Sequence, residues 1–258
     1  AQGVNLAAVC RDVAELIHQG EEVIFVHGGS NETNDLSEKL GCSPRFITTA
    51  SGFTSRYTDR QTLEIFAMAT ARINLVLVEQ LQKAGVNAVG LSGADGRLLS
   101  AKRNEAIKIV ENGRRMVIRD DYTGKIEQVN AGLLRTLLSA GLTPVIQPLA
   151  ISEAGDSLNV DADRAAAMVA GALGANQLIL LTNVPGLLRS YPDESTLIPH
   201  IARAEIDSAL DLAEGRMKKK VLGAIEALQL GVQKVIFADG RVEHPLLNAL
   251  AGQGTTLS

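Results

Sequence analysis

The run Gly215-Arg216-Met217-Lys218-Lys219-Lys220 concentrates cations at one point of the chain. The apolar spacing that follows it (Met217, Val221, Ala224, Ile225, Leu228) predicts that they occupy the first turn of a helix reaching about Gln229. A helix amino end already carries about half a positive charge, so each cation there costs about 0.3–1 kcal/mol unless an anion offsets it. The placement suits a phosphate or carboxylate ligand; the alternative is that the lysines simply point into water. A second turn suited to anions is His27-Gly28-Gly29-Ser30, between a strand expected over 21–26 and a helix expected from about Asn31 to Leu40. Two residues without Cβ let backbone N–H groups converge on an anion, although a plain tight turn uses the same residues. No GxGxxG occurs, and Gly124-Lys125 is followed by Ile126 rather than Ser or Thr. A P-loop or a dinucleotide-binding turn is therefore disfavoured.

Three further positions carry chemistry. In Asn159-Val160-Asp161-Ala162-Asp163-Arg164, Asp161 suits a helix cap. Asp163 fits either the helix dipole or a cleft carboxylate that orients lysines. Arg56, in Ser55-Arg56-Tyr57-Thr58-Asp59, is either a structural ion-pair partner or a bidentate clamp for a carboxylate. His27 alone reads as a structural histidine more readily than a catalytic one.

The elements that must position these residues alternate. A helix opens at Asn5; a long amphipathic helix runs from about Arg60 to Ala84; a short strand covers 88–91; residues 97–129 read as short hairpins with a tight turn at Asn112-Gly113. Then come a helix (131–140), strands at 143–148 and up to 160, a helix (161–173), a strand (177–181), the loop 182–199, the lysine-bearing helix, a strand (232–237), a short helix (245–250) and a closing strand (255–257). This order implies an α/β fold with a mainly parallel sheet covered on both faces, with a lobe boundary near Gly174-Ala175-Asn176.

With 258 residues, 46% of them hydrophobic, the chain can bury a substantial core. Cys10 and Cys42 are too few for a disulfide framework, and the four histidines form no metal spacing with them, so no metal site and a reducing, cytoplasmic setting are expected. No run of about 18 apolar residues predicts a membrane span, and no signal pattern opens the chain. A net charge of −4 argues against a general nucleic-acid binder. Yet Arg97, Lys102, Arg103, Lys108, Arg114, Arg115 and Arg119 cluster against only Glu105 and Glu111. Such a face suits an acidic partner, or merely solvated hairpin edges.

Taken in order, HGGS, SRYTD, NVDAD, LLTNVPGLL, GRMKKKV and FADGRVEHPL resemble the amino-acid kinase family across essentially the whole chain. Within it the chain is similar to N-acetylglutamate kinases, and more so to the branch acting on substrates attached to an amino-group carrier protein. Ser30 stands where acetylglutamate kinases usually have a third glycine, and Tyr57-Thr58 where they usually read Val-Thr.

The resemblance implies a three-layer αβα sandwich of two lobes: residues 1–175 for the amino-acid substrate and dimerisation, and residues 176–258 for ATP. It implies ATP with Mg2+ held mainly by the nucleotide phosphates, and transfer to a side-chain carboxylate of carrier-linked 2-aminoadipate or glutamate in lysine or arginine biosynthesis. It makes Lys220 the stabiliser of the transferred phosphoryl group and Asp163 the organiser of the catalytic lysines. Gly28, Gly29 and Ser30 fall at the phosphates and the substrate end, Arg56 and Asn159 on the substrate, and Thr182, Asn183, Val184, Gly186 and Leu187 along the nucleotide. A small acidic carrier protein would meet Lys102, Arg103, Arg114, Arg115 and Arg119; a homodimer is expected, without nucleic acid or membrane. A further strand with a Lys-x-Gly-Gly motif is expected ahead of Ala1. The alternatives are an N-acetylglutamate kinase acting on the free amino acid and a non-catalytic sensor on the same fold.

Overall fold

Polar caps set the helix starts. Asn5, Asp59, Asn130 and Asp161 each accept a hydrogen bond from a first-turn N–H, on Ala8, Thr62, Leu133 and Arg164. Each satisfies a donor that the helix itself leaves without a partner. The computed structural model describes residues 3–49, 54–111, 114–213 and 215–258. Its helices are α1 (Leu6–His18), α2 (Ser30–Lys39), α3 (Arg60–Lys83), α4 (Ala131–Ser139), α5 (Ala162–Leu173), α6 (Ser208–Leu212), α7 (Gly215–Gln229) and α8 (Pro245–Leu250). Its strands are β1 (Phe25–Val26), β2 (Phe46–Thr48), β3 (Thr54–Arg56), β4 (Ala88–Ser92), β5 (Leu99–Arg103), β6 (Ile107–Glu111), β7 (Arg114–Ile118), β8 (Gly124–Val129), β9 (Thr143–Gln147), β10 (Leu149–Ile151), β11 (Ser157–Asn159), β12 (Gln177–Thr182), β13 (His200–Ile201), β14 (Lys234–Asp239) and β15 (Thr255–Leu257).

Two sheets form the middle layer. One has the order β1-β9-β4, all parallel; the other has the order β12-β14-β15-β13, with only the β14–β15 pair antiparallel. Their central strands are apolar and buried, as strands covered on both faces must be: Val145 and Ile146 on β9, and Val235, Ile236 and Phe237 on β14, are fully enclosed. Helices α1, α3 and α8 pack together on one side, and α4, α5 and α7 on the other, giving the expected αβα sandwich. The edge strands β1 and β12 face a common cleft of about 2820 Å³. Among the described residues no strand joins them; α5 packs against both and spans the gap.

Three differences from the sequence reading concern the rim of this cleft. Residues 97–129 are not consecutive hairpins: β5 pairs with β8, and the β6–β7 hairpin is a separate sheet between them. The β2–β3 hairpin was not foreseen; it packs on the β6–β7 hairpin through Ile47 against Ile109 of β6 and Ile118 of β7. The strand expected over 21–26 is only Phe25–Val26. The expected Asn112-Gly113 turn lies outside the described residues. By length and composition α3 alone, among the described residues, is apolar enough to cross a membrane, but its Leu77 and Leu81 are buried against α1 and the first sheet.

Candidate functional site

Lys220 and Asp163 meet at the cleft. The Lys220 Nζ donates to Asp163 Oδ1 at 2.7 Å, with each side chain between a fifth and a quarter exposed. Asp163 stands in the first turn of α5 and Lys220 in the second turn of α7. Two contacts bring these helix ends together. Arg164 grips Glu226 through two bonds of 2.8 Å, and Gly223 has no side chain to hold α7 away. A Cβ on Gly223 would lie 3.3 Å from the Asp163 backbone carbonyl. We therefore expect Gly223→Ala to push α7 outward and lower kcat several-fold more than its cost of about 1 kcal/mol in stability would suggest, measured by turnover beside a thermal melt. Wild-type turnover in the variant would show that this close approach does not matter.

The carboxylate of Asp161 lies next to this pair. Burial pushes its pKa above the usual carboxylate range and the charge of Asp163 adds to that, while the Arg164 N–H, Lys219 and Lys220 pull the other way. The cluster thus holds two carboxylates against Lys219 and Lys220. Among the described residues no group of three His, Cys, Asp or Glu side chains could hold a metal.

The glycine turn lies beside the start of α5, where a Cβ on Gly28 would stand 3.8 Å from Ala162 Cβ. Gly28 and Gly29 line the cleft, and among the described residues no protein acceptor takes either N–H. A Cβ on Gly29 would sit 2.7 Å from Thr70 Cγ2 of α3, so only glycine lets the turn lie so close to that helix. Arg56, 8% exposed, donates from Nη2 to Ser30 O at 3.1 Å and to Asn34 Oδ1 at 2.7 Å, with Phe46 5.2 Å from the guanidinium carbon. Asn159 donates from Nδ2 to Thr58 Oγ1 at 3.1 Å. Thr58 in turn is tied through its N–H to the fully buried carboxylate of Asp121, which also accepts from the Thr123 N–H and hydroxyl. Sequence reasoning missed Asp121 and Thr58 because the bond that joins them to each other spans 63 positions of the chain.

The loop after β12 lies at the other end of the cleft. Thr182 and Val184 bond reciprocally through the threonine hydroxyl, at 2.6 and 3.0 Å. Gly186 lies against Thr255, where a Cβ would meet Oγ1 at 2.5 Å, and Leu187 is buried with its N–H on the same hydroxyl at 2.8 Å. These two anchor the loop, whereas Asn183 is exposed. Of the basic rim residues, Lys102 and Arg119 are exposed. Arg103 is half-buried: it stacks 3.8 Å from the centre of the Tyr122 ring and donates to Asp121 O at 2.8 Å. Arg114 and Arg115 lie on β7, with side chains outside the described residues.

Residues 1–239 match the Amino acid kinase family. The chain belongs to that family. It is 54% identical over its whole length to a [LysW]-aminoadipate kinase of Deinococcus radiodurans, covering 89% of that protein, and 51% identical to one of Thermus thermophilus, covering all of this chain and 97% of that one. An N-acetylglutamate synthase of Neisseria gonorrhoeae, solved with coenzyme A and N-acetyl-glutamate, is 26% identical with a TM-score of 0.80; the match takes in 98% of this amino-acid kinase and 55% of the synthase chain.

Proposed function

We propose that this amino-acid kinase transfers the γ-phosphoryl group of ATP to the side-chain carboxylate of 2-aminoadipate joined through its amino group to a small acidic carrier protein, forming an acyl phosphate in lysine biosynthesis. The observation that carries the reading is the convergence on one cleft of Lys220, tied to Asp163, with the N–H groups of Gly28 and Gly29, which have no protein acceptor among the described residues. The names of the relatives over half identical support the carrier-linked acceptor.

A carboxylate acceptor is already ionised at neutral pH, so its oxygen attacks phosphorus without a general base as the bond to the ADP oxygen breaks. What the reaction needs is charge stabilisation and alignment. Lys220 neutralises charge on the transferring oxygens, and Asp163 fixes its ammonium. The glycine turn donates from the acceptor side, Arg56 and Asn159 orient the acceptor, and the 182–187 loop holds the nucleotide. Mg2+ would come bound to the nucleotide phosphates and would supply charge neutralisation there. Residues 1–175 serve the acceptor and residues 176–258 the nucleotide. Met68 and Leu75, one face of α3 and over half exposed, suit burial against a second copy in a homodimer. We place the protein in the cytoplasm, in keeping with its two free cysteines.

The test offers ATP with carrier-linked aminoadipate, carrier-linked glutamate or free N-acetylglutamate, and traps the acyl phosphate with hydroxylamine. Hydroxamate from the carrier-linked aminoadipate supports the proposal. Hydroxamate from N-acetylglutamate alone would make the free amino acid the substrate, and nucleotide binding without turnover would indicate a sensor.

Carrier recognition has its own expected result. Lys102→Glu combined with Arg119→Glu reverses two exposed rim charges, so KM for the carrier-linked substrate should rise about tenfold at low salt while KM for ATP stays unchanged. Raising salt should erase the difference, because screening acts within about 8–10 Å. An unchanged KM at low salt would remove this face as the docking site.

A further inference from the structure

His27 sits at the start of the glycine turn and is 7% exposed. Its Nδ1 lies 2.8 Å from Gly28 O, and its Nε2 lies 3.1 Å from Asn74 Nδ2. The same Asn74 nitrogen donates to Val145 O at 2.8 Å, and a carbonyl can only accept, so the orientation of the amide is settled. Both ring contacts are then satisfied by one species: a neutral imidazole with its proton on Nδ1. Burial also favours the neutral ring, against the smaller pull of the Gly28 carbonyl and the Glu32 charge. The phosphoryl transfer described above has no use for this ring as an acid or base, since the acceptor brings no proton.

We propose that Asn74 and His27 are positioning residues that hold the Gly28 carbonyl turned away from the reacting atoms, so that the Gly29 N–H is presented to the transferred phosphoryl group. A trans peptide points its C=O and N–H in opposite directions, so gripping one aims the other. The rest of the turn is held in the same sense. Gly29 O accepts from both the N–H and the hydroxyl of Thr33, at 2.9 and 2.6 Å, and Gly29 rests on Thr70, one turn of α3 before Asn74. Behind Asn74, the strand residue facing its Oδ1 is Gly90, where any Cβ would collide with that oxygen. The amide therefore reaches from the sheet to the turn through a space kept open by a glycine. What the N–H is aimed at rests on the function proposed above; the clamp itself does not.

The test compares two near-isosteres. In His27→Asn the side-chain amide nitrogen stands close to Nδ1 and keeps the donor to Gly28; in His27→Gln the amide reaches the Nε2 position and the donor is lost. We expect His27→Asn to keep kcat within about threefold of wild type and His27→Gln to lose about 10–100-fold in kcat with both KM values little changed, the pattern of a donor used only in the transition state. Equal kcat in His27→Gln and wild type overturns the proposal. Long-range 1H–15N spectra of the unsubstituted protein at neutral pH read the ring directly, whether or not the glutamine variant folds. A proton on Nδ1 and a bare Nε2 support the clamp; a proton on Nε2, or an imidazolium, overturns it. With ADP and aluminium fluoride as the phosphoryl mimic, the Gly29 amide proton should move downfield, and an unmoved resonance also overturns the proposal. An enzyme that phosphorylates no carboxylate at all, with the ring in the expected tautomer, would count against the proposed function and leave the clamp standing.

Discussion

Replacing Lys220 with alanine is expected to lower kcat by about 10²–10³-fold, the loss that follows removal of one electrostatic stabiliser from a partly desolvated site. The fold should survive, because the lysine side chain is about a quarter exposed and its polar partner in the structure is Asp163 at the cleft rather than a core group. What it loses is a cation 2.7 Å from a carboxylate that keeps it in place while negative charge passes from the nucleotide to the transferred group. Asp163→Asn should act on the same step and lose less, since the amide can still accept from the ammonium but no longer holds it by charge. Single-turnover measurements of both variants at saturating ATP, beside thermal melts, check this. Near-normal kcat in Lys220→Ala would remove the residue from the catalytic step.

The parts of this site that a sequence can display are those whose cause is local. Helix α7 was legible because Met217, Val221, Ala224, Ile225 and Leu228 recur on one face: Val221, Ala224 and Leu228 are buried, with Met217 and Ile225 partly buried beside them, while Ala227 is buried without having been expected. The caps at Asn5 and Asp161 were legible for the same reason, since each bonds an N–H three residues on. The meeting of Lys220 with Asp163 has no local cause: they stand 57 positions apart, and although a lysine-orienting role for Asp163 was one of two readings of its residues, only the resemblance to a family singled out Lys220. Gly223 is the clearest silent residue. Inside a helical pattern it reads as a mild defect, and its reason appears only when the backbone of α5 lies against it. Asn74 was silent for the same kind of reason, as a polar residue in an amphipathic helix whose partners come from the glycine turn and from β9. The rim was misread through topology. Short strands pair by proximity in a sequence reading, yet β8 returns past β6 and β7 to pair with β5, a contact with no sign in the strands themselves. At three residues each, β2 and β3 are too short to show alternation at all.

Arg56→Lys is expected to raise KM for the acyl acceptor by about 10–100-fold with kcat changed far less, the size of one or two hydrogen bonds to a charged group. The guanidinium is held by geometry that an ammonium cannot copy. Nη2 alone reaches both Ser30 O and Asn34 Oδ1 while the plane of the group lies near the Phe46 ring. Lysine would carry the same charge on a single nitrogen, and so would either keep those partners or meet a substrate carboxylate. KM for ATP should not move, because the contacts around Arg56 involve the glycine turn and the β2–β3 hairpin, away from the 182–187 loop. The competing account is that Arg56 only fastens the start of α2. Asn34→Ala separates the two, since it deletes the 2.7 Å bond that aims the guanidinium and leaves the charge in place. If Arg56 binds the acceptor, Asn34→Ala should raise KM by less than Arg56→Lys does. An equal or larger rise in Asn34→Ala, with a matching drop in melting temperature, would mean that Arg56 secures the turn and that the acceptor carboxylate is held elsewhere.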